Sequence, residues 1–199
     1  MAEYTSKQIQ RWLEELRDGA LNLQEDNMGL ADATLILLGM DVPMPSLLPP
    51  GNLTTHFTLA EMTRSDTATA RGIDNTPTGS EINQLTRTCN ALEKIRHILG
   101  DKPITITSAF RSDALNKAVG GVPNSAHRLG LAADFICPSF GTPTEICNAL
   151  INDIHDLGLD QLINEKTGGH EWVHIGLSDS PPRYQALTIT DSGTQVGIV

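Results

Sequence analysis

Four prolines fall between Pro43 and Gly51, and no other feature limits the architecture of this chain so strongly. Proline fixes φ at about −65° and has no N–H to donate, so neither a helix nor a central strand runs through such a stretch. The segment reads as a linker that divides the 199 residues near residue 51. Residues 1–51 then form a helical N-terminal extension ending in the proline-rich linker, and residues 52–199 form a second, larger unit with a C-terminal hairpin. Within the extension, Ile9, Trp12, Leu13 and Leu16 recur at helical spacing over residues 5–18, and Gly19 can stop that helix. Leu30 to Met40 is a second apolar segment of helical character.

Beyond the linker the pattern is a mixture of helix and strand. Ser80 to Leu99 predicts a helix with Ile82, Leu85, Cys89, Leu92 and Leu99 on one face, Ser80 as its cap and Gly100 as its stop. Ile104 to Thr107 predicts a short strand, and Ser112 caps a short helix that ends at Gly120-Gly121. Leu131 to Cys137 reads as a strand, and Thr144 to Leu157 as a helix with Ile146, Leu150, Ile154 and Leu157 inward. Asp160 to Asn164 and Trp172 to Leu177 read as two more strands. A closing hairpin follows, Ala186–Thr190 and Gln195–Val199 about a turn at Asp191-Ser192-Gly193.

Composition excludes several classes of partner. The hydrophobic fraction is 39%, enough for a core, while the formal charge of −10 opposes binding to nucleic acid or to an anionic membrane through bulk electrostatics. No apolar run approaches the roughly 18–20 residues of a spanning helix, so no membrane insertion is expected. Lys7, Glu14, Glu15 and Arg17 interrupt any signal-peptide core, and synthesis as a cytoplasmic chain without a signal peptide is expected. The three cysteines, Cys89, Cys137 and Cys147, sit among apolar residues without a repeated spacing and read as buried free thiols.

The informative stretch is Ser125-Ala-His127-Arg-Leu-Gly130-Leu-Ala-Ala-Asp134. His127 lies at a loop end and Asp134 in the strand that follows, and a bend at Gly130 can bring both side chains to one point. His174, in Trp172-Val-His174-Ile-Gly176, projects from the face of its strand opposite to Val173 and Ile175. Two imidazoles and one carboxylate are good zinc ligands and leave a fourth position open, the catalytic pattern rather than the structural one. Each residue alone has a plain structural explanation; the joint placement on glycine-flanked loop–strand junctions points to a metal.

Residues 170–174 also spell His-Glu-Trp-Val-His, the pattern of helical zinc proteases. That pattern works only on a helix. Here Gly168-Gly169 precede it, and Trp, Val and Ile favour a strand, where residues four apart are separated by about 13 Å. Arg111, after the strand at Thr107-Ser108, can bind a substrate carboxylate or steady an oxyanion. Glu171 is the expected general base, with Glu165 and His170 as alternates. Residues three apart on a regular strand face opposite ways, so this assignment requires Glu171 to sit on a turn or at a bulge.

Ser108-Ala-Phe-Arg-Ser112, Asn116 to Gly121, Ser125-Ala-His127 through Gly130 to Asp134, and Trp172-Val-His174 together resemble the M15 peptidases. The resemblance is closest to the D-Ala-D-Ala carboxypeptidase-like domains of phages and prophages. Phe57 to Glu61, Arg64-Ser-Asp66 and Gly72 to Asn75 extend it over roughly residues 52–199. It implies an α+β fold with a small central antiparallel sheet flanked by helices. It also implies one Zn²⁺ on His127, Asp134 and His174, an arginine at Arg111 beside the reacting carbonyl, and a base at Glu171. Trp172 stands where some members carry a histidine. The implied substrate is a peptidoglycan stem peptide, cut at D-Ala-D-Ala or at L-Ala-D-Glu. The implied setting is a phage-type lysin acting at the bacterial cell wall after release, or a virion-associated enzyme. The helices of residues 1–51 then suit a docking partner. A second reading is a non-catalytic zinc-stabilised binding or virion structural module, as in the related hedgehog domain.

Overall fold

The computed structural model describes residues 51–199; the helices expected at 5–18 and at Leu30–Met40, and the linker up to residue 50, lie outside the described residues. Two short helices come first, α1 (Leu59–Thr63) and α2 (Asp66–Arg71). The hydroxyls of Thr58 and Ser65 cap them, accepting from the backbone N–H of Glu61 at 3.1 Å and Ala68 at 3.2 Å. The long helix α3 (Gly79–Ile98) starts one residue before the expected cap. Thr78, not Ser80, is its N-cap, with its backbone N–H donating to the Glu81 carboxylate at 2.6 Å. Leu85, Cys89, Leu92 and Ile95 on its inner face are fully buried.

The strands are β1 (Thr105–Ser108), β2 (Ala132–Ile136), β3 (Gln161–Thr167), β4 (His170–Gly176), β5 (Gln185–Thr190) and β6 (Gly193–Val196). Helix α4 (Asp113–Ala118) and a 3-10 turn (Ala126–Leu129) lie between β1 and β2, and α5 (Pro143–Leu150) lies between β2 and β3. The helix expected over Thr144–Leu157 is thus shorter. It passes into a 3-10 turn at Ile151–Asp153, where Asn152 and Asp153 are poor helix-interior residues. All three cysteines are buried and free.

The sheet order is β1-β2-β4-β3-β5-β6. Every neighbouring pair is antiparallel except β3 and β5, which run parallel, so the sheet is mixed. The cause lies in the link between β4 and β5. Strand β4 ends beside the start of β3, where Gly176 pairs with Gln161, and Gln185 pairs with the same Gln161. A chain that re-enters at that end must run in the direction of β3. Asp160 fixes the entry: its carboxylate accepts from the Arg183 backbone N–H at 2.8 Å and from the Arg183 guanidinium, and its carbonyl accepts from Gln185 N–H at 2.9 Å.

The Arg183 guanidinium holds the Asp160 carboxyl below its ordinary pKa, against the opposing effect of burial. A carboxyl depressed in the folded state contributes stability above its unfolded pKa of about 3.9 and loses it as pH falls through the folded value. The stability difference between the parent and Arg183→Ala is therefore expected to be constant near neutrality. It should shrink toward zero in urea titrations run below about pH 4. A difference unchanged into acid would show that the pair does not act through its charge.

One face of the sheet packs on α3 and α5 through Ile106, Ala133, Phe135, Leu162, Val173 and Ile175, which with the inner faces of those helices form the core. Gly130 sets how closely the loop before β2 approaches α3. Its φ is 72°, and a Cβ there would stand 2.8 Å from the Glu81 carbonyl oxygen and 3.1 Å from Leu85 Cγ. Its carbonyl accepts the Thr88 hydroxyl at 2.7 Å. Gly130→Ala combines a left-handed backbone with a clash against helix backbone. A loss of about 2–4 kcal/mol is expected on urea unfolding, and a loss under about 0.5 kcal/mol would contradict the close approach.

Candidate metal centre

The opposite face of the sheet carries the chemistry. Asp134 on β2 pairs directly with His174 on β4, so both side chains leave the same face. The 3-10 turn that ends at Gly130 delivers His127 to the same point. Ligand atoms of His127, Asp134 and His174 lie within 4.8 Å of one another, and all three residues are buried. His174 Nδ1 is 2.7 Å from Asp134 Oδ1, and His127 Nε2 is 3.4 Å from Asp134 Oδ2. Tetrahedral ligands about 2.1 Å from a zinc ion stand about 3.4 Å apart, so small adjustments bring the three donors onto one ion.

The surroundings suit such an ion. His127 Nδ1 is 2.6 Å from the Ala109 carbonyl oxygen. That bond assigns the proton to Nδ1 and leaves Nε2 with its lone pair toward Asp134, the arrangement metal-ligating histidines commonly show. Arg111 donates from Nη2 to Asp134 Oδ2 at 2.9 Å and from Nε to Ser108 Oγ at 3.0 Å, and its backbone N–H reaches the His127 carbonyl at 3.1 Å. The structure places Arg111 beside the donor set.

Burial alone would raise the Asp134 pKa, yet the two imidazoles hold it well below the usual carboxylate range. The carboxylate form is favoured, as holding a metal would require. Burial lowers the His127 pKa. For His174 burial acts in the same direction, but the Asp134 bond outweighs it and the net shift is upward.

Glu171 is not brought to this point. The β3–β4 register is unbroken from His170 to Gly176, without the turn or bulge that the assignment required. Glu171 therefore leaves the sheet on the side of Val173, opposite to His174. There Glu171 Oε1 accepts the Thr144 hydroxyl of α5 at 3.0 Å and lies 3.4 Å from Lys166 Nζ, while Asn164 donates to Thr144 Oγ1 at 2.8 Å. His170, the other alternate, is exposed at the start of β4.

Glu165 is the carboxylate that does share the face. It pairs with Trp172, two residues from His174, so its side chain leaves the sheet with those of Trp172, His174 and Asp134. It is half-buried, and burial pushes its carboxyl pKa up, with His174 and Arg111 opposing and Asp134 reinforcing the shift. The signal was present in the sequence. A hairpin turning on Gly168-Gly169 pairs Thr167 with His170 and hence Glu165 with Trp172.

Asn75 was missed as a positioning residue. Its amide donates to the carbonyls of Thr63 at 2.8 Å and Phe110 at 3.1 Å, and its Oδ1 accepts Ser112 N–H at 2.7 Å. It thereby clamps the backbone on both sides of Arg111. No local spacing announces such a role, because the clamp is made across 35 to 37 residues.

The Peptidase M15 family model matches residues 55–175. A zinc D-Ala-D-Ala carboxypeptidase of Streptomyces albus G is 34% identical over 131 residues, which cover 62% of this chain and 46% of that relative. The chain thus spans just under half the length of this curated relative. The family match runs from before α1 to the penultimate residue of β4 and takes in Arg111, His127, Asp134, Glu165 and His174. With more than half of its residues matched and the donor set inside the matched region, the chain belongs to the M15 peptidase family.

Proposed function

We propose that this chain is a zinc peptidase that hydrolyses peptide bonds in peptidoglycan stem peptides. The observation that carries the reading is the convergence of two imidazoles and a carboxylate on one sheet face, with an arginine bonded to the carboxylate. The identity to a zinc D-Ala-D-Ala carboxypeptidase supports the choice of metal and substrate class.

His127, Asp134 and His174 would hold the ion, which when bound supplies Lewis acidity that acidifies water and polarises a carbonyl. Arg111 is set to donate to the carbonyl oxygen as negative charge builds on it. Its bonds to Asp134 and Ser108 fix the guanidinium before substrate arrives, so little reorganisation is needed. Glu165 takes the proton of the attacking water and returns it to the leaving amine. Ala109 keeps His127 in the tautomer with a free Nε2. Glu171, held by Thr144 and Lys166, has a structural task under α5.

The setting we propose is a phage-type lysin or a virion-associated wall peptidase, with residues 1–51 as a docking element outside the catalytic unit. No helix among the described residues is long and apolar enough to cross a membrane.

The test is digestion of purified peptidoglycan by the zinc-loaded full chain, with and without a chelator, with products read by mass spectrometry. Chelator-sensitive release of D-alanine or of new L-alanine ends supports the reading and names the bond. A folded, zinc-loaded protein that releases neither would replace it with a non-catalytic zinc module.

A further inference from the structure

A cavity of about 350 Å³ adjoins the metal centre. Ser108 and Arg111 at the end of β1 line it, and Arg111 donates to both Ser108 and Asp134. Arg64 and Ser65, in the link between α1 and α2, also line it, and part of the lining is apolar, from Leu115 and Val119. The volume is at the small end of ligand pockets and suits one or two amino-acid residues.

The charges in this cavity are uneven. Arg64 and Arg111 face a single carboxylate, Asp66, in a chain whose formal charge is −10. Arg111 is committed to Asp134 and Ser108. Arg64 is exposed; it makes no ion pair within 4 Å and no side-chain hydrogen bond among the described residues, and its electrostatic neighbour is Glu61, where burial pushes the carboxyl pKa up and Arg64 opposes the shift. A peptidase that removes one C-terminal residue must grip a carboxylate about one residue beyond the scissile carbonyl. Consecutive Cα atoms stand about 3.8 Å apart, so the two groups to be gripped are close neighbours along one cavity. Two guanidinia lining one cavity, one of them bonded to Asp134, suit two such groups, and Leu115 and Val119 offer contact to a small side chain.

We propose that Arg64 binds the free α-carboxylate of the substrate's C-terminal residue and so makes the enzyme a carboxypeptidase rather than an endopeptidase. The inference rests on the peptidase reading but has a readout that does not need turnover. N-acetyl-D-alanine and its C-terminal amide are titrated into the full chain and followed by NMR. The parent is expected to prefer the acid by about 10- to 100-fold, the range of a hydrogen bond to a charged group. Arg64→Ala should lose that preference and Arg64→Lys keep part of it, since ammonium retains the charge without the planar fork. With N-acetyl-D-alanyl-D-alanine as substrate, Arg64→Ala should raise KM by a similar factor and leave kcat within a few-fold.

An Arg64→Ala variant that keeps the full preference for the acid would overturn the assignment. So would a parent that binds acid and amide alike, even if it cuts internal bonds of peptidoglycan, and in that case the peptidase reading stands. A parent that discriminates acid from amide through Arg64 yet turns over no peptide supports the subsite and removes the peptidase reading.

Discussion

Glu165→Gln is expected to lower kcat on stem peptides by about 10²- to 10⁴-fold while zinc content and KM stay close to those of the parent. The substitution preserves shape and removes only the ability to take a proton. Glu171→Gln is expected to stay within a few-fold in kcat, because its carboxylate lies on the α5 side of the sheet against Thr144 and Lys166. The pair of variants separates two carboxylates, Glu171 favoured by its nearness to His174 along the chain and Glu165 by the sheet register. Steady-state kinetics with metal analysis decides it. Full activity in Glu165→Gln, or collapse in Glu171→Gln, would move the proton to the other side of the sheet and would require β4 to rearrange when substrate binds.

Asp134→Ala has the largest expected effect on the protein itself. The Asp134 carboxylate meets His174, His127 and Arg111, and its side chain is only 8% exposed. Removing it deletes a proposed metal ligand and leaves a half-buried guanidinium and two buried imidazoles without their anion. Zinc is expected to fall to background in equilibrium dialysis at micromolar metal. Stability measured with chelator present in both samples should drop by about 3–5 kcal/mol, the usual result of breaking a buried ion pair from one side. Asp134→Asn keeps the volume and one acceptor and should recover part of the stability without recovering the zinc. An alanine variant that still binds zinc at parental affinity would remove Asp134 from the ligand set.

The comparison of these two sites shows where the sequence is legible. The candidate metal donors were readable because each is tied to a local signal. Gly130 marks the bend after His127, small residues mark the strand carrying Asp134, and the alternation of Val173, His174 and Ile175 fixes which way His174 points. The proposed base was not readable by proximity. Glu171 is near His174 along the chain, but strand parity sends it to the other face, whereas Glu165 reaches the donor face through a cross-strand pairing. The parallel β3–β5 pair was hidden for a related reason. It is set by Asp160 gripping Arg183 across 23 residues, and no periodicity encodes a grip of that kind. In helix α3 the expected Leu85, Cys89, Leu92 and Leu99 are buried, Ile82 is half-buried, Ile95 joins the stripe, and the cap moves from Ser80 to Thr78.

The sheet order also sets when the metal centre can exist. The β3–β4 hairpin closes over two glycines and can form early, since short loops close fast. The Asp134–His174 pairing spans 40 residues and must wait until β2 docks on that hairpin. The hairpin thus carries one donor, and the donor set is complete only once β2 pairs with β4. An ion bound there would meet a scaffold whose opposite face is held by apolar packing, unlike the small metal-nucleated domains in which the ion itself gathers the chain.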